Sequence, residues 1–558
     1  MTFKTDRKKE KQADNYLEKD KGRGFAVILM LPVILFLCVL VPLYTIVVTA
    51  GNRIEYNPLH KITLGTDNFI LFIPAVALGF VLCYAIKVFS GFRLKTDPRV
   101  LTGLTIFTAG IVSVGLYFMN VYMARKMGFF GGWDCGMVAN SVRDIYRGGD
   151  MGYGNYYQIF PNNIPIMYVM YRLYEKAMSL NPVEAPEFIW VRFQCVLVSL
   201  SVFICALTAH VIAKKNSVTL ITLFLSAIVL GLSPWEVIPY TDVSSIIFPI
   251  MILFFYALYL KTDGFMKYIF LIIGIFLGFL GGIMKATVYV SLIALILIEI
   301  IRFILDIKNR CKAIIFLILG ILAACILSGI YKEHMYNVLD YKEDPHYQAE
   351  WCNYFYMGLN EERTGASNPD GYNLINEYFS LEPSDRKTLE LKLGFERLKE
   401  KGFVGGLSFY VKKMVMTFND GTFSWFKEGS FNIGFFSESN GDENPPKHSY
   451  FLRSFYCEDG ERFVLFNTIS QFFWLFILLG IILFGLGTLF GYMRYKKSDE
   501  SLILRTFIFT VMLGMFMFLM MFEGRARYLL NYLPLFLTVS VLGINDMAKL
   551  FSKNEDIF

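Results

Sequence analysis

The sequence predicts an all-α protein that crosses a membrane about twelve times, with one further helix in the membrane interface. Three observations support this fold class. Of the 558 residues, 55% are hydrophobic and 17% aromatic, and the mean hydropathy of +0.47 lies above that of soluble domains. Apolar runs long enough to cross about 30 Å of hydrocarbon recur along the chain. Short basic connections alternate with longer polar ones, as in multi-pass membrane proteins.

Each transmembrane helix needs about 20 apolar residues. The first apolar run, 25–50, follows a polar tail at 1–24 and is too long for the apolar part of a signal peptide. We therefore expect it to be retained as the first helix. The predicted spans are 25–50, 68–90, 101–123, 188–213, 217–235, 243–260, 266–284, 286–305, 313–331, 466–492, 502–522 and 528–550.

The basic connections predict the orientation, because Lys and Arg accumulate in short cytoplasmic loops. They place the N-terminal tail and the C-terminal tail, 551–558, in the cytoplasm. The basic connections are 93–99, 214–215, 261–267, 308–312 and 494–497. The predicted parts are an N-terminal membrane module at 25–331 with a large outer loop at 124–187, an extracytoplasmic domain at 332–465, and C-terminal membrane helices at 466–550.

Two segments do not fit the pattern of simple spans. Residues 164–177 are apolar but short and end in charged residues, which favours an interfacial or re-entrant helix. Residues 332–465, which we call the polar region, show a weak alternation of apolar and polar residues and are rich in Gly, Asn and Asp. This pattern predicts a mixed α+β region. Cys352 and Cys457 lie in this region, where two thiols in an oxidising space either pair or stay reduced.

Composition excludes several classes of function. The net charge of +6 comes from short basic clusters and not from one patch, so nucleic acid is not an expected partner. Nine cysteines without a CxxC pair and five histidines without ligand spacing do not indicate a metal knuckle. The ionisable residues within spans lie near the span ends, which disfavours a transporter.

The hydrophilic stretch 129–163 holds the first candidate for chemistry. Asp134 follows Trp133 directly after a predicted membrane exit. A carboxylate at this position is suited to act as the general base for an acceptor hydroxyl. The alternative is a solvated aspartate or a helix N-cap. The amides of Asn162 and Asn163 are suited to sugar hydroxyls, or else cap the helix that follows.

A second carboxylate, Asp242, follows Tyr240 and Thr241 after a Pro-rich turn. It is a candidate for orienting an acceptor or for holding a divalent cation through oxygen ligands. The alternative is that Thr241 or Asp242 caps the next helix.

Three cations on the predicted outer face go against the positive-inside rule. Lys285 lies in a turn between two spans, and Arg525 and Arg527 lie in another. All three are candidates for binding a lipid phosphate, with Glu523 orienting one arginine. The alternatives are snorkelling to lipid headgroups and, for the arginines, an ion pair with Glu523.

Five short motifs occur in a recognisable order along the chain. They are WDCG (133–136), FPNN (160–163), YTD (240–242), GGIMK (281–285) and EGRARYLL (523–530). This order resembles the GT-C superfamily of polyprenyl-phosphate-sugar glycosyltransferases, including protein mannosyltransferases and aminoarabinose transferases. The local motifs are more similar to those of uncharacterised Gram-positive integral membrane proteins. FPNN stands where the characterised transferases carry a KPP-type motif. Because of this difference, the resemblance does not identify the donor sugar or the acceptor.

The resemblance implies a GT-C-like fold and an assignment of the site. Asp134 would be the catalytic aspartate, with Asp242 as a second catalytic candidate, and Lys285, Arg525 and Arg527 would contact the donor phosphate. The expected substrate-binding residues are Trp133, Asn162, Asn163, Tyr240 and Glu523.

The function implied is that of an inverting glycosyltransferase. It would move a sugar from undecaprenyl phosphate to a glycan or protein acceptor of the cell envelope, on the outer face of the lipid bilayer. A requirement for Mg²⁺ or Mn²⁺ is left open. The alternatives are a ligase of the O-antigen type that uses a polyprenyl-pyrophosphate oligosaccharide, and a transporter of lipid or polysaccharide.

Overall fold

The computed structural model describes residues 31–49, 62–91, 97–128, 132–180, 186–430, 450–494 and 499–550, and the predicted cytoplasmic tails lie outside these ranges. Every regular element within them is helical. In chain order the main helices are α1 Leu31–Val47, α2 Asn68–Gly91, α3 Pro98–Met127, α4 Trp133–Tyr146, α5 Ile164–Leu180, α6 Pro186–Ala213, α7 Asn216–Val229, α8 Ile247–Lys261, α9 Met266–Met284, α10 Tyr289–Leu305, α11 Ile307–Val338, α12 Trp351–Met357, α13 Asp370–Glu377, α14 Pro383–Phe418, α15 Tyr450–Tyr456, α16 Phe463–Arg494, α17 Asp499–Met521 and α18 Leu533–Leu550.

The multi-pass membrane architecture is confirmed. Ten helical segments in the described residues are long and apolar enough to cross a membrane, and each overlaps a predicted span. The other two predicted spans, 25–50 and 217–235, correspond to the shorter apolar helices α1 and α7. Helix α7 ends at Val229, and Pro234 then begins a separate 3₁₀ turn, Pro234–Val237. Helix α5 is not among the spans, and it buries one face against α4 and α6.

The prediction of a mixed α+β region at 332–465 is wrong, because the described part of this region contains helices and no strand. Its polar residues close turns between short helices. The side chain of Asn360 accepts a hydrogen bond from the Arg363 amide, and that of Asn368 accepts one from the Asp370 amide. Cys352 and Cys457 are separate buried thiols and do not form a disulfide.

Helix α18 lies at the centre of the bundle and is almost wholly buried. It crosses α16 at small residues: a Cβ on Gly480 would lie 1.9 Å from Ser540 Oγ, and one on Gly543 would lie 2.0 Å from the Gly480 carbonyl oxygen. Small residues let two membrane helices approach closely. This packing brings the segment before α18, which carries Arg525 and Arg527, to the middle of the molecule.

One segment of the polar region, 332–465, packs into the helix bundle. We call this segment, residues 403–430, the inserted arm. It begins after Gly402, whose φ of +61° kinks α14. Its Phe418 ring lies 5.9 Å from the Phe516 ring, and its carbonyl accepts a hydrogen bond of 2.6 Å from Trp474 Nε1. Asp420 then accepts hydrogen bonds from the amides of Thr422 and Ser424 and closes the turn at the end of the arm.

Lys413 of the inserted arm ties three segments together. Its buried ammonium donates hydrogen bonds to the carbonyls of Gly358, Met520 and Phe522 at 2.7, 3.0 and 2.5 Å. The Gly524 amide donates to the Gly365 carbonyl at 3.1 Å. Residues 358–365 are therefore held against the loop that leads into Arg525 and Arg527.

Replacing Gly365 by Ala is expected to destabilise the protein by about 1–2 kcal/mol or more, since its φ of +74° is unfavourable for a residue with a Cβ. The new Cβ would also lie 2.3 Å from the Gly358 carbonyl oxygen. Gly406→Ala is the matched control, because Gly406 lies within α14 and a Cβ added there would meet no described atom within 4 Å. Thermal unfolding of the purified variants tests this, and equal melting temperatures would contradict it.

Candidate functional site

A cavity of about 750 Å³ lies where the polar region meets one end of the helix bundle. It brings together residues that are far apart in the sequence and includes all ten residues proposed above for catalysis or binding. They are Trp133, Asp134, Asn162, Asn163, Tyr240, Asp242, Lys285, Glu523, Arg525 and Arg527. The wall that faces the polar region is formed by residues of 349–375.

The turn that presents Asp242 is held by buried hydrogen bonds. Gln194 of α6 donates to the carbonyls of Glu236 and Ile238 at 3.0 and 2.8 Å. Trp235 Nε1 donates to the Thr422 carbonyl of the inserted arm at 3.0 Å. These bonds satisfy backbone groups that would otherwise be buried without partners. They therefore hold in place the beginning of the membrane span, where Asp242 lies.

Asp242 is 1% exposed and is held by two cations. Lys285 Nζ lies 2.6 Å from Asp242 Oδ1, and Arg527 Nε lies 3.6 Å from Asp242 Oδ2. A carboxylate held in this way is poorly placed to take a proton from a substrate, because protonation would leave two buried cations without it. The geometry favours a positioning role for Asp242.

Glu428 is a site residue that the sequence analysis missed. Its Oε1 lies 2.6 Å from Arg525 Nη1, and its Oε2 lies 3.3 Å from Arg527 Nε. Glu523 adds an ion pair of 3.2 Å to Arg525. The only sign of Glu428 in the sequence was that it lies in the polar-aromatic stretch 418–431. Stretches of this composition are equally common in ordinary loops. Glu428 sets the spacing of the two arginines.

Aromatic rings enclose the cations of the cavity. The Arg527 guanidinium lies 4.2 Å from the centre of the Tyr240 ring, and Lys285 Nζ lies 4.6 Å from that of Tyr528. Cation–π contacts of this kind strengthen when water is excluded. Tyr240, which the resemblance implied as a substrate-binding residue, therefore stacks directly on Arg527.

Asp134 lies in the first turn of α4 and is exposed to the cavity. The Tyr156 hydroxyl donates a hydrogen bond of 2.7 Å to Asp134 Oδ1 and accepts one of 2.7 Å from Asn163 Nδ2. Burial, and then the negative charge of Asp134, raise the pKa of Tyr156, so its hydroxyl keeps its proton at neutral pH. Gly132, and not Asp134, is the N-cap of α4.

Trp133 has a strained backbone beside Asp134. Its φ is +50°, a conformation that costs a residue with a Cβ about 1–2 kcal/mol. Its side chain is 50% exposed and lines the cavity. Strain of this kind is commonly retained where a side chain must be presented to a ligand.

Trp133→Gly is expected to be more stable than Trp133→Ala by about 1 kcal/mol, because both variants lose the indole but only glycine relieves the strain. Chemical unfolding of the two purified variants tests this prediction. Equal stability would show that the left-handed backbone at residue 133 is not strained.

Three of the four described carboxylates that line the cavity are held by cations, which does not fit a metal centre. Asp242, Glu428 and Glu523 are each engaged by a lysine or an arginine. In the part of the chain that the structure describes, no group of three or more His, Cys, Asp or Glu residues is arranged to hold a metal ion. We therefore assign no step to Mg²⁺ or Mn²⁺.

Comparison with known proteins identifies one family. No curated protein and no solved structure matches the chain. The sequence pattern of a family described as conserved hypothetical integral membrane protein matches residues 25–548, which include all ten proposed site residues. Because this match covers most of the chain, the protein belongs to that family of conserved hypothetical integral membrane proteins.

Proposed function

We propose that the protein is an inverting glycosyltransferase that uses a polyprenyl-phosphate sugar as its donor. One observation carries the proposal: Asp134, whose described partner is a neutral hydroxyl, lines the same cavity as three cations suited to a lipid phosphate. A general base and an anion-stabilising group on one cavity are the two elements that such a displacement needs.

In the proposed reaction, Asp134 accepts the proton of an acceptor hydroxyl, and the oxygen attacks the anomeric carbon. The bond from that carbon to the phosphate oxygen breaks, and polyprenyl phosphate leaves with the electron pair. The phosphate gains one negative charge, which Lys285, Arg525 and Arg527 stabilise. A single displacement inverts the configuration of the sugar.

The ion pairs of the site support this division of roles. An arginine has five N–H donors, more than the neighbouring carboxylates occupy, so Arg525 and Arg527 retain donors for a phosphate. Asp242, Glu428 and Glu523 hold the cations in place before the substrate binds. Such preorganisation lowers the energy needed to reorient dipoles during the reaction.

The charge balance favours a monophosphate donor over a pyrophosphate. Among the described residues of this network, three carboxylates already balance Lys285, Arg525 and Arg527. A pyrophosphate would bring further negative charge into a partly enclosed cavity, where unbalanced charge is costly.

Buried charges elsewhere in the spans do not favour a transporter. Glu299 accepts hydrogen bonds from Tyr256 and Tyr259 and pairs with Arg302, near the end of α10. Arg505 pairs with Asp546 at 2.6 Å, near the ends of α17 and α18. Both groups are ion pairs near helix ends, whereas a transport pathway needs ionisable residues that face a route across the membrane.

The position of the cavity also supports a site outside the cell. Asp242 lies just before α8 and Lys261 ends that helix, so the cavity and Lys261 are at opposite ends of the span. Lys261 Nζ donates to the Val211 and Ile212 carbonyls near the end of α6, where Lys214 and Lys215 follow. The positive-inside rule assigns that basic end to the cytoplasm.

The proposal is tested with the purified full-length protein in nanodiscs and a panel of radiolabelled polyprenyl-phosphate sugars. Consumption of one donor and release of polyprenyl phosphate are expected, compared with nanodiscs that lack the protein. Consumption of a polyprenyl-pyrophosphate oligosaccharide alone would favour the ligase. Movement of an intact lipid-linked sugar across vesicles, without chemical change, would favour the transporter.

A further inference from the structure

The wall of the cavity that comes from the polar region has no role in the proposed reaction so far. It contains Asn353 and Tyr354 of α12, Arg363 and Asn368 of the following loop, and Tyr372 of α13. The Tyr372 side chain is 50% exposed. Aromatic rings beside amides and an arginine are a common combination in pockets that bind polar ligands.

Arg363 is the one cation of this wall, and the loop that carries it is rigidly braced. Its amide donates to Asn360 Oδ1 at 2.9 Å, and its Nη1 donates to the Ser367 carbonyl at 3.0 Å. Asn368 Nδ2 donates to the carbonyls of Met357 and Ala366 at 3.0 and 2.8 Å. The guanidinium is therefore held by one backbone carbonyl, that of Ser367, and not by a carboxylate.

Arg363 differs from the other cations that line the cavity. Lys285, Arg525 and Arg527 each form an ion pair with a carboxylate. Arg363 is half-buried, and no described carboxylate lies within ion-pair distance of its guanidinium. Its guanidinium is therefore not in an ion pair with any described carboxylate, and several of its N–H donors remain for a ligand.

The Arg363 loop meets the cation network through the backbone. The Gly365 carbonyl accepts the hydrogen bond from the Gly524 amide, directly before Arg525. A ligand group held by Arg363 would therefore lie beside the proposed phosphate site, on the wall contributed by the polar region. This is where an acceptor must approach if the lipid donor enters from the membrane.

We propose that Arg363 binds an anionic group of the acceptor, so that the acceptor is a saccharide carrying a phosphate or a carboxylate. This inference rests on the proposed function and names the substrate class of the same cavity. The planar guanidinium suits either anion, since it pairs with both in a bidentate manner. A neutral glycan or an uncharged protein hydroxyl would leave the charge of Arg363 without a partner.

Ligand-observed NMR on the full-length protein in nanodiscs tests the proposal, with glucose 6-phosphate and galacturonate as anionic probes and glucose as the neutral one. Wild type is expected to bind the anionic probes at least about tenfold more tightly than glucose, since tenfold in Kd corresponds to about 1.4 kcal/mol, the lower end of what a hydrogen bond to a charged group contributes. Arg363→Gln is expected to lose this preference, and Arg363→Lys to keep part of it. Arg172→Gln, which removes an exposed arginine of α5, is the matched control and should keep it.

A second measurement separates the two sources of phosphate. Binding of polyprenyl phosphate in the nanodisc should be unchanged in Arg363→Gln and weakened in Arg525→Gln. Loss of lipid binding in Arg363→Gln with the sugar preference intact would assign Arg363 to the donor phosphate and overturn the proposal. Equal binding of charged and neutral sugars by the wild type would also overturn it. Failure of the wild type to bind polyprenyl phosphate would instead count against the proposed function.

Discussion

Asp134→Asn is expected to lower the rate of sugar transfer by about 10²–10⁴-fold, the usual contribution of a general base. Asparagine keeps the shape of the side chain and can still accept the hydrogen bond from Tyr156, but it cannot take a proton. The binding of the donor should change little, because the proposed phosphate contacts lie on other residues. Single-turnover assays with the radiolabelled donor separate the two effects.

Asp144→Asn is the matched control for this experiment. Asp144 is exposed on the same helix, α4, and does not line the cavity. It is expected to transfer sugar at the rate of the wild type. If Asp134→Asn and Asp144→Asn were equally active, the base would have to be sought among the other carboxylates of the cavity.

Asp242→Asn is expected to destabilise the protein by about 3–5 kcal/mol, because it removes one partner of a buried ion pair. Lys285 would lose the carboxylate at 2.6 Å that favours its charged form against burial, and Arg527 would keep Glu428 as its described carboxylate partner. The effect should appear as a lower free energy of unfolding in detergent. Activity should fall because less protein is folded and because Lys285 is no longer held in position. It should not fall because a general base is missing.

Two comparisons make this prediction specific. Asp459→Asn breaks a surface ion pair with Arg453, in which the Asp459 side chain is 63% exposed, and should cost less than about 1 kcal/mol. The double variant Asp242→Asn with Lys285→Met should recover part of the stability, since it removes the buried amine that has lost its carboxylate. Similar costs for Asp242→Asn and Asp459→Asn would show that the buried pair does not stabilise the fold.

Much of the membrane architecture could be predicted from the sequence because it depends on local properties. A run of about 20 apolar residues is sufficient to recognise a span, since lipid requires the backbone to satisfy its own hydrogen bonds. Alternation of successive spans then places Asp134, Asp242, Lys285 and Arg527 at the same end of the bundle. In the structure the ten proposed residues line one cavity at that end.

The polar region at 332–465 was mispredicted because its local pattern is ambiguous. Its Gly, Asn and Asp residues are typical of turns in any fold class. They give no information on whether the segments between the turns pair as strands or pack as helices. The contacts of Lys413 with Met520 and Phe522 show that packing against the membrane bundle organises this region.

The sequence by itself determined the class of the protein, the positions of its spans and the set of residues gathered at one end of the bundle. Only the tertiary structure decided how those residues are paired. Glu428 holds Arg525 from 97 positions away, Asp242 is engaged by Lys285 and Arg527, and Arg363 faces the cavity without a carboxylate partner among the described residues. Pairing of this kind depends on which helices touch. That is set by packing between distant segments, for which neither hydropathy nor periodicity carries information.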